Sequence, residues 1–142
     1  VSTSDVQQQI VVAALDRLSE RFRARDVDGA VACFSPEGAV YGDDLGEHAH
    51  GTEELRLFLA EVFEETCTLG WEVGETWSRR RGDVMWFVSD AEAVLDYPDG
   101  LRECVRLQLS GILSRHRRRW RFELFTGTQP VTHSRELLVT LG

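Results

Sequence analysis

The chain has no lysine and no asparagine, and among its 142 residues only one methionine, three prolines and three cysteines. All 16 basic residues are therefore arginine, set against 24 acidic ones for a net charge of -8. Such a surface repels phosphate backbones and anionic lipids, so no nucleic-acid partner and no membrane partner is expected. The all-arginine basic set fits a GC-rich bacterial genome. Cys33, Cys67 and Cys104 are odd in number, far apart and set among apolar residues. That excludes a disulfide or zinc framework and reads as reduced core cysteines of a cytoplasmic protein. No apolar run has the length of a membrane span. The first apolar patch, Ile10 to Leu15, is short and lacks a basic leader, so no signal peptide is read. Nucleophile elbow, Walker loop, dinucleotide fingerprint and paired zinc-ligand cysteines are all missing, and no cofactor is expected. With no repeat and no low-complexity linker, residues 1–142 read as a single domain, its core spanning about 6–130 with a tail beyond 130.

What is present is a core-forming pattern, with 42% hydrophobic residues. Ser4 and Gln7 are spaced as a capping box ahead of Ile10, Ala14, Leu18 and Phe22, which share one helical face. Asp26 or Asp28 caps a short second helix carrying Ala30, Val31, Cys33 and Phe34, which Pro36 and Gly38 stop. Ala39 to Tyr41 reads as a short strand and Gly42 to Gly51 as a polar loop. Thr52 caps a third helix with Leu55, Phe58, Leu59, Val62 and Phe63 on its stripe. From Cys67 the period becomes two. Leu69, Trp71 and Val73 share a face, with Glu75 and Trp77 on the same parity. Val84 to Val88 is apolar on both faces, as a central strand requires. Pro98, Asp99 and Gly100 mark a hairpin. Val105, Leu107 and Leu109 alternate along a long strand in which Gly111 marks a bend or bulge. Trp120, Phe122 and Leu124 alternate on a last strand. Helices followed by strands mean an α+β fold with an antiparallel meander.

This order resembles the SnoaL-like branch of the nuclear-transport-factor-two-like superfamily, whose members are also called ketosteroid-isomerase-like or cystatin-like. The carriers are the stretch Phe22 to Phe34, the run Gly51 to Phe58, the run Gly82 to Val88 and the closing stretch Arg119 to Phe125. The resemblance covers Val6 to Pro130. It implies a cone, in which a curved antiparallel sheet wraps around three N-terminal helices and encloses a pocket. It also implies a homodimer, which the apolar faces on both sides of Val84 to Val88 independently suggest. Laid on ketosteroid isomerases, the oxyanion tyrosine falls on Leu18, the catalytic aspartate on Gly42 beside Asp43, and the second oxyanion acid near Ser110. Leucine and glycine offer no such side-chain chemistry, so that particular reaction is not expected.

Two classes of function stay open. One is a pocket protein that binds a small apolar ligand or assembles through its sheet. The other is an isomerase, cyclase or dehydratase type of enzyme working by general acid–base chemistry. For the second, Asp43 is the candidate acid or base and His48 and His50 the candidate assistants; the bland alternative is a solvated polar loop. The His-x-His spacing would also place two imidazoles on one side of extended chain, yet no metal site is assigned. Candidate ligand contacts are Leu18, Trp71, Glu75, Trp86 and Ser110. Glu75 is either a pocket acid or the mark of a strand leaving the core.

Overall fold

The computed structural model describes residues 3–43 and 46–130, with side chains from Asp5 onward. Three helices precede most of the sheet: α1 (Thr3–Arg23), α2 (Val27–Val31) and α3 (Gly51–Phe63). Six strands follow or interleave: β1 (Phe34–Tyr41), β2 (His48–His50), β3 (Thr68–Arg81), β4 (Val84–Asp96), β5 (Arg102–His116) and β6 (Arg119–Thr128). They form one curved, unclosed sheet in the order β2-β1-β6-β5-β4-β3. The α+β reading and the cone are thus what the chain adopts. The tail beyond 130 lies outside the described residues.

Several local expectations change. α1 begins at Thr3, so Ser4 is within the helix and not its cap. Asp26 caps α2, its carboxylate accepting the Gly29 N–H at 2.9 Å. α2 ends at Val31, and Pro36 and Gly38 do not stop it; they lie inside β1. The register against β6 shifts between Phe34 and Ala39, where a Cβ on Gly38 would come to 2.7 Å from the Phe122 carbonyl. A proline is tolerated at such an interruption because no ladder bond needs its N–H. The stretch read as a loop after Tyr41 contains β2, which pairs antiparallel with β1. α3 starts at Gly51, one residue before Thr52. Its N-cap position is His50, whose N–H donates to the Glu54 carboxylate at 3.0 Å.

The sheet is antiparallel at every pairing but one. β1 lies parallel to β6. β1 precedes α3, so the chain must cross over before the meander can return to it, and a crossover makes parallel neighbours. The inner sheet face carries Met85, Phe87, Ala91, Leu109, Leu113, Phe122 and Phe125, all buried against Val11, Leu15 and Leu18 of α1 and Leu55 and Leu59 of α3. The outer face carries Val84, Trp86 and Val88, so the strand read as apolar on both sides is just that. Of the cysteines, Cys33 is buried, and burial pushes its thiol pKa up. Cys104 is exposed, contrary to its reading as a core residue; it faces outward opposite Val94.

Gly111 sits between Phe87 on β4 and Phe125 on β6, next to a register shift in the β5–β6 pairing. A Cβ there would collide with the Leu124 carbonyl oxygen. Backbone cannot yield as a side chain can, so Gly111→Ala should lower stability by about 1–3 kcal/mol. A lower urea midpoint with an unchanged slope would show it; an unchanged midpoint would refute the close approach.

Candidate functional site

The helices do not fill the cone. A cavity of about 420 Å³ remains between Phe22 of α1, Phe58 and Val62 of α3, and the inner faces of β3 to β6. The strand period decides which residues reach it. On β4, Ala93 and Leu95 point inward opposite Val105 and Glu103 of β5. On β3, Leu69 and Trp71 do so. Alanine at position 93 leaves open space that a larger side chain would occupy.

The innermost wall is aromatic and rigid. Trp71 stacks on Phe125 with ring centres 5.6 Å apart and meets Phe22 edge-on at 5.0 Å; Phe22 in turn meets Phe63 at 5.1 Å. Besides a bond from the Arg23 guanidinium to its carbonyl at 3.3 Å, Trp71 is tied to α1 by three buried hydrogen bonds. Its N–H donates to the Ser19 hydroxyl at 2.9 Å, that hydroxyl donates to its carbonyl at 3.1 Å, and its indole N–H donates to the Leu15 carbonyl at 3.0 Å. All these groups are buried, where an unmade hydrogen bond is costly.

Polar groups gather at the mouth: Tyr41, Gly42, Glu47, Glu103 and Gln129. The loop joining β1 and β2 closes when the Gly42 N–H donates to the Glu47 carbonyl at 2.7 Å. That turn carries the Glu47 carboxylate over Gly42. A Cβ on Gly42 would meet the Glu47 carboxylate oxygen, with the carboxylate carbon 3.3 Å away. So the position at which the isomerase resemblance expects an aspartate is a glycine, and a glutamate from the neighbouring loop takes up the vacated space.

The sequence candidates are distributed as follows. Trp71 lines the cavity. Asp43 is exposed, and both its carboxylate oxygens accept the Gln129 N–H at 3.1 Å, fastening the end of β6 to the loop. His48 and His50 are exposed on either side of buried Ala49, so they face away from the interior. Their rings stack at 5.3 Å, and His50 Nε2 lies 2.6 Å from the Tyr41 hydroxyl. The shared face read from His-x-His is therefore correct, but it is the outer one. Among the described residues no three His, Cys, Asp or Glu side chains are placed to hold a metal. The acid–base reading built on Asp43, His48 and His50 loses its geometry, because none of the three lines the cavity.

Leu18 is 0% exposed and packed in the core, not on the cavity wall. Glu75 is exposed: the β3–β4 register shifts between Val73 and Thr76, and the extra residue turns Glu75 and Trp77 away from the interior. Trp86 lies on the outer face opposite Ile112, under the Arg81 guanidinium at 5.9 Å. Ser110 is also on that face, 2.5 Å from the Thr126 hydroxyl. Glu103 and Glu47 line the cavity and are not among the candidate ligand contacts. Glu103 shares parity with Val105, Leu107 and Leu109, so alternation already carried its signal; Glu47 is placed by a loop turn that no periodicity encodes.

A family model for the SnoaL-like domain matches residues 11–130. The chain belongs to the SnoaL-like domain family. No curated protein matches it in sequence. Among solved structures, it is similar to a protein of unknown function from Mycobacterium tuberculosis (17% identity, TM-score 0.78, covering 91% of this chain and 75% of that one). It is also similar to a protein from Streptomyces avermitilis provisionally described as a dehydratase of the NTF2-like family (14%, 0.75, 92% and 100%). A ketosteroid isomerase-like protein from Erwinia carotovora atroseptica is similar too (19%, 0.68, 87% and 98%). At these identities the likeness is one of fold, which hosts many chemistries. No described helix of this SnoaL-like chain is long and apolar enough to cross a membrane.

Removing the Ser19 hydroxyl strands the N–H of Trp71 in the interior and leaves its carbonyl with the Arg23 guanidinium alone, at 3.3 Å. Ser19→Ala should therefore cost about 1–3 kcal/mol, far more than an alanine on an exposed helix face. Thermal unfolding beside the exposed-face control Glu20→Ala would measure it; equal losses would refute the tie.

Proposed function

We propose that the cone binds a small, largely apolar molecule. The observation that carries this is the cavity itself: about 420 Å³ within the fold, walled by Trp71, Phe125, Phe22 and Leu107, with polar groups confined to the mouth. That division, an apolar body with a few convergent polar groups, is the usual make-up of a small-molecule site. Catalysis is a further step, and the residues it would need are not Asp43, His48 and His50 but the carboxylates at the mouth. A neutral environment-sensitive dye, N-phenyl-1-naphthylamine, should brighten and saturate on the protein. Ala93→Phe, which projects a ring into the cavity, should remove the dye signal while the circular dichroism spectrum stays native. Equal dye binding by the variant would place the dye elsewhere and overturn the reading.

The outer sheet face favours a second reading, a homodimer. Trp77, Val84 and Val88 are 47%, 42% and 38% exposed on one contiguous side, with Trp86 between them. Arg79 and Arg81 flank this patch, whereas Glu72, Asp90 and Glu92 lie toward the other end of the same face. A two-fold axis would set each charged end against its opposite, which makes the surface self-complementary for a second copy of this chain. Sedimentation velocity should give twice the chain mass at micromolar concentration, and Val88→Arg should give the chain mass. A monomeric parent protein would refute it.

A further inference from the structure

We propose a second ligand site, separate from the cone, that takes a phosphate monoester carried on a flat apolar body. A hollow of about 420 Å³ lies between α1 and the β5–β6 hairpin. Ile10, Ala13, Ala14 and the Trp120 ring form its apolar wall, and Arg17, Arg118 and Arg119 border it. It shares no residue with the cone cavity. Among the described residues no carboxylate lines it, in a chain whose 24 acids outnumber its 16 arginines.

The arginines around Trp120 fall into two sets. Arg80 and Arg115 lie over its ring at 5.0 and 5.6 Å, and both are also held by oxygen. Arg80 Nε donates to the Gly82 carbonyl at 2.8 Å, and Arg115 pairs with Asp83 at 2.9 Å. Arg17, Arg118 and Arg119 make no hydrogen bond and no ion pair among the described residues. Their charges nevertheless converge. Arg17 of α1 and Arg119 of β6 both favour the thiolate of Cys33, against the burial that pushes that thiol pKa up. Like charges brought together without a counter-charge repel, and nothing in the lining offsets this. The turn that presents them is strained as well. Arg117 and Arg118 hold φ at 52° and 67°, in a two-residue hairpin turn that favours Asn-Gly or Gly-Gly. Strained backbone and breaches of local rules gather where function imposes them.

A phosphate monoester answers this arrangement. It brings close to two negative charges at pH 7 and three terminal oxygens, and guanidiniums pair with such oxygens through two parallel hydrogen bonds. A carboxylate has one charge and two oxygens, too few for three arginines. The apolar wall would cover the body of the ligand while the arginines hold its head. A nucleic-acid strand fits less well, because the net charge of -8 repels a long polyanion.

Calorimetric titration at pH 7 with 1-naphthyl phosphate, 1-naphthol and inorganic phosphate tests this. The ester should bind at least ~tenfold more tightly than either fragment. Arg17→Gln and Arg119→Gln should each weaken it at least ~fivefold, and so should Arg118→Gln, which touches neither helix nor strand. Raising salt beyond ~0.1 M should weaken it further. Two controls should leave ester binding unchanged. Arg102→Gln removes the same charge from an arginine paired with Asp96 elsewhere on the sheet, and Ala93→Phe fills the cone. An equal loss in Arg102→Gln would reduce the effect to net charge and overturns the proposal. A loss in Ala93→Phe would put the ester in the cone and overturns it too. So do no binding of the ester, equal binding by either fragment, and tighter binding of a short single-stranded oligonucleotide. The cone reading stands or falls separately, on its own dye test.

Discussion

Trp71 holds the two layers of the molecule at a fixed distance. Its backbone and indole make three hydrogen bonds to Ser19 and Leu15 of α1, and its ring leans on Phe22 and Phe125. Hydrophobic burial alone would draw helix and sheet together until the gap closed, because it has no preferred direction. Hydrogen bonds have direction and length, so α1 is fixed along β3 and the layers diverge from that line. Across the sheet from the tie, at Ala93 opposite Trp71 and at Leu95 and Val105 beside it, small or half-buried side chains replace the large buried ones. The opening of the cone is thus the consequence of a rigid hinge line on one side and modest side chains on the other.

The charge distribution is subordinate to the same frame. Arginines cluster at the hairpin ends, where they lie on tryptophan rings: Arg79 over Trp77 at 4.9 Å, Arg80 over Trp120 at 5.0 Å. Arg115 pairs with Asp83 at 2.9 Å. The basic hairpin ends therefore also cover tryptophan rings. The carboxylates left over congregate around α3 and the cavity mouth, which is how a chain with net charge -8 comes to have a distinctly acidic entrance.

Long-range order was legible because it follows from period. The four-residue spacing from Ile10 to Phe22 and the two-residue spacing from Val105 to Leu109 both survive into α1 and β5. Trp71 was legible as a cavity wall for the same reason. The failures share another cause. β2 is three residues long and exists through pairing with β1, so it has too little sequence to carry a pattern of its own. Pro36 inside β1 was hidden by an interruption of the ladder that only β6 reveals. Asp43 read as a catalytic acid because resemblance put it next to the right position, but the backbone of Gln129, 86 residues away, claims its carboxylate. The acid that does stand at the mouth, Glu47, arrives by a loop turn whose geometry depends on Gly42 having no side chain.

The register shift in β3 has an effect beyond Glu75. Before it, the odd-numbered residues Leu69, Trp71 and Val73 face inward; after it, the even-numbered Thr76 and Ser78 do. Thr76 then meets Ser89 of β4 at 2.8 Å, and its carbonyl accepts the Gln8 side-chain N–H at 3.0 Å. One strand thus behaves as two segments out of phase by one residue. The first segment builds the cavity wall, and the second plugs the far end with hydroxyls and turns its indole outward. A substitution at Trp77 or Arg79 alters the outer surface without reaching the cavity, and one at Leu69 or Trp71 does the reverse. The two surfaces of this sheet are therefore free to diverge separately, although the same unbroken strand runs through both.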